Sequence, residues 1–129
     1  MKRIIAFAFL ASLLIACDST EDPAIDDRDK FIGTWNVSST GTQSGTLAWS
    51  LTISTSNSTA AGVLLKNFDK QGTNTTVRGE TSGNNISYYE IVSGDTISGT
   101  GVYSGGKITF DYTVKDGVST DVVTATATK

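Results

Sequence analysis

The chain of 129 residues contains no histidine, one cysteine and one proline. Without histidine it lacks the commonest general base and the commonest metal ligand, and it cannot form a Ser-His or Cys-His catalytic pair. Cys17 has no partner in the chain for a disulfide, so the fold must depend on burial and hydrogen bonding. No phosphate-binding loop, dinucleotide fingerprint or zinc-ligand spacing occurs either.

Paired carboxylates remain as catalytic candidates, because two of them can form a glycosidase site. The acids on or beside predicted strands are Glu80, Glu90, Asp111 and Asp121. None of the four falls convincingly on an inward face of the alternation described below. We therefore expect a protein that is not an enzyme and that has no metal site and no cofactor.

Charge is distributed unevenly along the chain. Residues 18–29 carry six acids against one base, Arg28, whereas residues 30–129 carry seven acids and seven bases. A neutral folded part without a basic stripe argues against nucleic acid as a partner.

The N-terminus has the pattern of a secretory signal. Lys2 and Arg3 precede residues 4–16, in which Ser12 is the only polar residue. This run is shorter than the roughly 20 residues that a membrane-spanning helix needs, and its length and flanks suit a signal peptide. Residues 14–17, Leu-Ile-Ala-Cys, resemble a bacterial lipobox, which implies cleavage before Cys17 and a lipid on its sulfur.

The chain is thus divided into a lipoprotein signal peptide (1–16), a lipidated Cys17 with an acidic disordered tether (17–30) and a folded domain (31–129). The tether has few apolar groups, which is typical of disorder. We expect a lipid anchor in a bacterial cell envelope, at the outer membrane. Acids directly after the cysteine resemble a surface-export signal, although a solvated spacer would have the same composition.

The folded part alternates apolar and polar residues with a period of two, which predicts antiparallel strands with one buried face. The clearest strand, 47–54, places Leu47, Trp49, Leu51 and Ile53 on one face, and 108–114 does the same with Ile108, Phe110, Tyr112 and Val114. Six weaker strands are predicted at 34–39, 61–68, 73–79, 85–92, 96–103 and 118–127, the last with Val118 and Val122 on one face.

Short glycine-containing links, such as Ser104-Gly105-Gly106 and Lys115-Asp116-Gly117, predict tight hairpin turns between these strands. Short links favour sequential neighbours, so we expect an all-β, eight-stranded, antiparallel up-and-down barrel. Gly99 and Gly101 suit a bend or a close strand approach in such a barrel. A β-sandwich is the alternative, because its strands alternate in the same way.

Gly33-Thr34-Trp35 resembles the first strand of lipocalins, fatty-acid-binding proteins and avidin-like barrels. In lipocalins this tryptophan closes one end of the barrel and an arginine from the last strand stacks on it, but residues 124–129 contain no arginine. More of the chain resembles small bacterial lipocalin-like lipoproteins, and the matching segments are 27–31, 33–35, Asn67-Phe68, 99–101, 107–112 and Asp116-Gly117. This resemblance implies a lipocalin-like fold and an envelope location.

Two functions follow as expectations. In the first, the barrel binds a small apolar ligand between the side chains of Trp35, Trp49, Leu51, Tyr88, Tyr103, Phe110 and Tyr112. In the second, the barrel is fully packed and the protein is a non-enzymatic interaction or structural lipoprotein of the envelope. The expected partners are the membrane, through Cys17, and either a small hydrophobic ligand or an envelope protein.

Overall fold

The structure, a computed structural model, describes residues 26–129. The predicted signal peptide, Cys17 and most of the predicted tether lie outside the described residues. Eight strands make up nearly all of the described part: β1 (Gly33–Gly41), β2 (Gly45–Thr55), β3 (Gly62–Lys66), β4 (Thr76–Ser82), β5 (Asn85–Val92), β6 (Asp95–Ser104), β7 (Lys107–Lys115) and β8 (Thr120–Thr128). No helix in residues 26–129 is long and apolar enough to cross a membrane.

Each strand pairs antiparallel with the next along the chain, and β8 pairs with β1 from Asn36↔Thr128 to Gly41↔Val123. That last ladder closes the sheet into a barrel. The predicted up-and-down barrel is therefore confirmed, and the sandwich is excluded because a sandwich has two separate sheets. Closure also leaves no full-length exposed edge strand.

The predicted alternation sets which side chains fill the barrel. On β2, Trp49, Leu51 and Ile53 are buried while Ser50 and Thr52 between them are exposed. On β7 the same holds for Ile108, Phe110 and Tyr112. One hydrophobic core therefore runs along the barrel axis and takes residues from all eight strands.

Three predicted boundaries are wrong around the third and fourth strands. β3 ends at Lys66 instead of Phe68, and β4 runs from Thr76 to Ser82 instead of from Thr73 to Gly79. Between them, Asn67 adopts a left-handed backbone (φ 61°) and a short 3-10 helix, Phe68–Lys70, follows. Asparagine tolerates this conformation better than most residues, so the chain leaves the strand at Asn67 despite the apolar residue that follows.

The last strand does not bury the face that carries Val118 and Val122. Val118 precedes β8 and is 97% exposed, and Val122 points outward at 53% exposed. The inward residues are Val123, Ala125 and Ala127, which lie opposite Tyr112, Phe110 and Ile108 of β7. Large residues on β7 leave room only for small ones on β8, because core volume is shared between facing positions.

Two glycines on β6 provide space in the same way. Gly101 lies between Ile86 of β5 and Phe110 of β7, and Gly99 lies between Tyr88 and Tyr112. A Cβ atom at Gly101 would lie 2.7 Å from two carbons of the Phe110 ring, and one at Gly99 would meet the backbone of Asp111 and Tyr112. Gly101 is thus required by close contact with the Phe110 ring, and Gly99 by the close approach of the β7 backbone.

We expect Gly101→Ala to lower the free energy of unfolding by about 1–3 kcal/mol, because the added methyl group overpacks the core against Phe110. Urea denaturation measures this. Thr100→Val is the matched control, since Thr100 points outward from the adjacent position and the substitution keeps a β-branched side chain. Equal stability of the Gly101→Ala variant and the control would contradict the packing described here.

Candidate functional site

The barrel has two ends, which differ in how they are closed. The Phe31 end, as we call it, is formed by residues 26–32, the links 56–61, 83–84 and 105–106, and Lys129. The Phe68 end is formed by the links 42–44, 67–75, 93–94 and 116–119. A ligand entering the barrel would have to pass one of these two closures.

At the Phe31 end, Trp35 is almost fully buried and its indole Nε1 donates a hydrogen bond of 2.7 Å to the Phe31 carbonyl oxygen. The ring of Phe31 packs edge-on against Tyr103 at 6.0 Å between centroids. Lys129 Nζ lies 4.5 Å from the centre of the Trp35 ring and donates to the Ile32 carbonyl oxygen at 2.8 Å. Lys129 thus makes a cation–π contact with Trp35.

At the Phe68 end, backbone geometry turns one aromatic side chain into the barrel. Asn67, Asp69 and Lys70 all have left-handed φ values, of 61°, 56° and 58°. The Asn67 side chain fixes this turn, since its Oδ1 accepts from the Gly72 amide (2.9 Å) and its Nδ2 donates to the Ser50 carbonyl (2.8 Å). Residues that are strained in this way persist only where their surroundings hold them.

Phe68 is fully buried, and its ring is the centre of an aromatic cluster. The centroid distances are 4.8 Å to Tyr112, 4.9 Å to Tyr88, and 5.5 Å to both Trp49 and Phe110. Most of these pairs meet edge to face, which is the geometry that aromatic quadrupoles favour. Phe68 therefore occupies the space that a ligand between these four side chains would need.

The polar atoms of the cluster are also engaged. Tyr112 donates its hydroxyl proton to Asp69 Oδ1 at 2.6 Å, and Trp49 Nε1 donates to Ser39 Oγ at 3.2 Å. Burial raises the pKa of the Tyr88 and Tyr112 hydroxyls, so both phenols are neutral. In residues 26–129 no buried side-chain nitrogen or oxygen lacks a hydrogen-bond partner, so the interior presents no unsatisfied polar group to a guest.

The seven predicted lining residues fall into two groups. Trp49, Tyr88, Phe110 and Tyr112 converge on Phe68, whereas Trp35 and Tyr103 lie at the Phe31 end; Leu51 lies opposite Trp35 in the β1–β2 ladder. Their role as ligand-lining residues stays a prediction, and lipidation of Cys17 lies outside the described residues. The sequence does not predict that Phe31 or Phe68 closes an end of the barrel: Phe68 is expected at the end of the strand 61–68, whereas it lies in the short 3-10 helix after β3, and Phe31 precedes β1. The asparagine directly before Phe68 is the one local signal of a turn there.

Exposure values show how completely the interior is filled. Leu51, Phe68 and Phe110 have no surface that a water-sized sphere can touch. A void of ligand size between them would expose part of each side chain, so none lies between these three side chains. The interior has the close packing that is typical of protein cores.

Two of the four candidate acids, Asp111 and Asp121, hold parts of the sheet and its turns together. Asp121 accepts hydrogen bonds from the Gln43 and Ser44 amides at 2.7 and 3.2 Å and so stabilises the β1–β2 turn. Asp111 accepts from Thr124 Oγ1 at 3.2 Å on the outer face. Residues 26–129 contain no group of three carboxylates placed to hold a metal ion. The expectation that the chain is not an enzyme stays a prediction.

The concavity of note is on the outside of the barrel. An open groove of about 460 Å³ lies beside the 56–61 link and is lined by residues of β3, β4 and β5, including the buried Val63 and Tyr88. Arg78 and Glu80 of β4 and Tyr89 of β5 line it. The sequence does not predict this groove, because outward-facing residues on a strand are ordinarily interpreted as solvent-exposed surface.

Comparison with known proteins supports the fold alone. No protein-family model matches the chain, and no curated protein matches it. The chain is similar to the solved structure of a redesigned β-barrel, with a TM-score of 0.51 and 15% sequence identity over 81% of this chain and 95% of that one. A likeness at this identity says nothing about function.

We expect Phe68→Ala to lower the free energy of unfolding by about 3–5 kcal/mol, because it leaves a cavity between four aromatic rings. Chemical denaturation measures this loss. Tyr89→Ala removes a ring of similar size from the surface, where Tyr89 is 66% exposed, and serves as the control with little expected change. A loss below about 1 kcal/mol for Phe68→Ala would contradict a filled core.

We also expect a pH-dependent difference between the protein and its Asp69→Asn variant. Burial, with lesser contributions from Asp121 and Asp95, raises the pKa of Asp69 above its usual 3.8 in spite of the bond from Tyr112. A raised folded-state pKa means that Asp69 favours folding most below pH 3.8, and that this contribution is lost as pH rises through the folded pKa.

The stability of Asp69→Asn relative to the original protein should therefore increase between about pH 3 and pH 7. Urea denaturation across this range measures the difference. Asparagine tolerates the left-handed backbone at this position, so the comparison isolates the charge. A difference that is flat with pH, or that decreases, would show that burial does not govern this carboxyl group.

Proposed function

We propose that the protein is a non-enzymatic lipoprotein of a bacterial cell envelope, anchored by lipid on Cys17, whose barrel is a filled scaffold that presents its outer surface. The observation that carries this proposal is the position of Phe68 on the barrel axis, in contact with Trp49, Tyr88, Phe110 and Tyr112. Of the two functions expected from the sequence, this is the one with a fully packed barrel.

An interior ligand is disfavoured on energetic grounds. Such a ligand would have to displace Phe68, and removing a buried phenylalanine from a core costs about 3–5 kcal/mol. It would also have to break the 2.6 Å bond between Tyr112 and Asp69. Both costs would be subtracted from the ligand's affinity, whereas binding sites for small molecules are usually largely formed in advance.

The segment that joins the proposed anchor to the barrel is itself bound to the barrel. Arg28 forms an ion pair of 2.7 Å with Asp26, and its guanidinium donates at 3.2 Å to the carbonyl oxygens of Ser56 and Gly62. Residues 26–30, which the sequence assigns to the tether, thus contact the 56–61 link. A pull on the anchor would reach the barrel through this attachment.

Lipidation at Cys17 is tested by native mass spectrometry of the full protein purified from its own host. We expect the mass of a diacylglycerol and an acyl chain on Cys17, and no small molecule retained in the barrel. Cys17→Ser should move the protein from the membrane fraction to the soluble fraction, because serine has no sulfur to carry the lipid chains on which stable anchoring depends. Ser19→Ala is the matched control and should stay with the membrane.

Two results would contradict the proposal in different ways. An unmodified Cys17 in membrane-bound protein would remove the anchor. A hydrophobic compound retained at a one-to-one ratio would instead remove the filled scaffold and favour the interior-ligand function.

A further inference from the structure

The outer groove coincides with a break in the sheet. The β4–β5 ladder has only four pairs, from Gly79↔Tyr88 to Ser82↔Asn85, so Arg78 and Tyr89 face each other without pairing. One side of the groove is the 56–61 link and another is the outward face of β5. Its volume of about 460 Å³ lies within the range of small-molecule sites, about 300–1,000 Å³.

Tyr89 provides an apolar surface in this groove. It is 66% exposed, points outward, and has no aromatic ring packed on it within the described residues. An exposed tyrosine presents a flat, rigid ring that loses little conformational entropy when a ligand packs on it. The C–H face of a pyranose ring is a partner of matching shape and polarity for such a ring.

Charges of both signs lie beside this ring. Arg78 and Glu80 are two positions apart on β4 and therefore point to the same outer face. In residues 26–129 neither takes part in an ion pair, and Glu80 Oε1 accepts only a long bond of 3.5 Å from Thr59 Oγ1. A ligand with a net charge would be attracted by one of the two and repelled by the other. A neutral polyhydroxylated ligand can accept from the guanidinium and donate to the carboxylate.

The wall of the groove is held in place before any ligand binds. Ser56 donates its amide to the Gly62 carbonyl at 2.9 Å, which closes the base of the 56–61 link, and Arg28 donates to the carbonyls of both residues. Ser58 and Thr59 on this link and Ser87 on β5, each of which carries a hydroxyl group, also line the groove. A site fixed in this way loses little entropy on binding.

We propose that this groove binds a neutral saccharide, with a sugar ring packed on Tyr89 and its hydroxyl groups hydrogen-bonded to Arg78 and Glu80. The site goes beyond the proposed function, because it concerns the outer surface only and does not depend on lipid at Cys17. No bond is made or broken in the saccharide, since binding alone is proposed.

The test uses the full protein, labelled with ¹⁵N and kept in a zwitterionic detergent so that no detergent sugar competes. The neutral probes are the tetrasaccharides of maltose, chitin and mannan type, and the acidic probes are sialyllactose and a heparin tetrasaccharide. At least one neutral probe should shift the amide signals of Glu80, Ser87 and Tyr89. The acidic probes should not.

Variants locate the site. Tyr89→Ala should weaken binding of that probe by about tenfold or more, which corresponds to about 1.4 kcal/mol, whereas Tyr89→Phe keeps the ring and should bind nearly as well. Arg78→Met and Glu80→Gln should each weaken binding. Val122→Ala, on the outer face of β8 across the barrel, is the matched control and should leave binding unchanged.

Three outcomes would overturn the proposal: no neutral probe shifts these amides, only acidic probes do, or Tyr89→Ala binds as well as the original protein. Each variant changes an exposed or outward residue, so the fold should survive; the retained amide spectrum of β5 and β6 verifies this in the same experiment.

Discussion

The insertion of the Phe68 ring between Trp49, Tyr88, Phe110 and Tyr112 is the interaction on which the rest of the structure depends. The interior of an eight-stranded barrel is just wide enough to be filled by side chains or to hold one small ligand. In this barrel the Phe68 ring fills that space. The left-handed backbone around Asn67 brings the ring inward, and the bond from Tyr112 to Asp69 holds the segment there. Small residues on the neighbouring strands, Gly101 and Ala125, make room for the rings.

The strands could be predicted from sequence because they follow from a local property, the period-two alternation seen in residues 47–54 and 108–114. Their closure into a barrel is expected from the short links, because the alternation by itself suits a sandwich equally well. The features that depend on distant neighbours could not be predicted. The inward face of β8 consists of a valine and two alanines because β7 brings large side chains to the opposite positions, and the sequence of β8 alone does not contain that information. The same holds for Lys129, whose place over Trp35 depends on the meeting of the first and last strands.

The candidate site shows the same division. The predicted aromatic residues do lie inside the barrel or at its end, but the two side chains that close the ends, Phe31 and Phe68, belong to turns outside the alternating strands. The outer groove depends on the early end of the β4–β5 ladder at Gly79↔Tyr88. The ladder stops there because the two strands diverge in space, which the sequence of neither strand shows. Nothing in the sequence therefore distinguishes Arg78, Glu80 and Tyr89 from other exposed strand residues. Because the interior is filled and a groove lies outside, the structure favours the outer surface of the barrel over its interior as the candidate binding site.

The central claim, that Phe68 fills the barrel axis, is tested most directly by nuclear Overhauser contacts in the protein in solution. Ring centroids 4.8 to 5.5 Å apart predict strong cross-peaks from the Phe68 ring protons to the rings of Trp49, Tyr88 and Tyr112. Absence of these cross-peaks, together with contacts from the Tyr88 and Tyr112 rings to water or to a bound molecule, would contradict it.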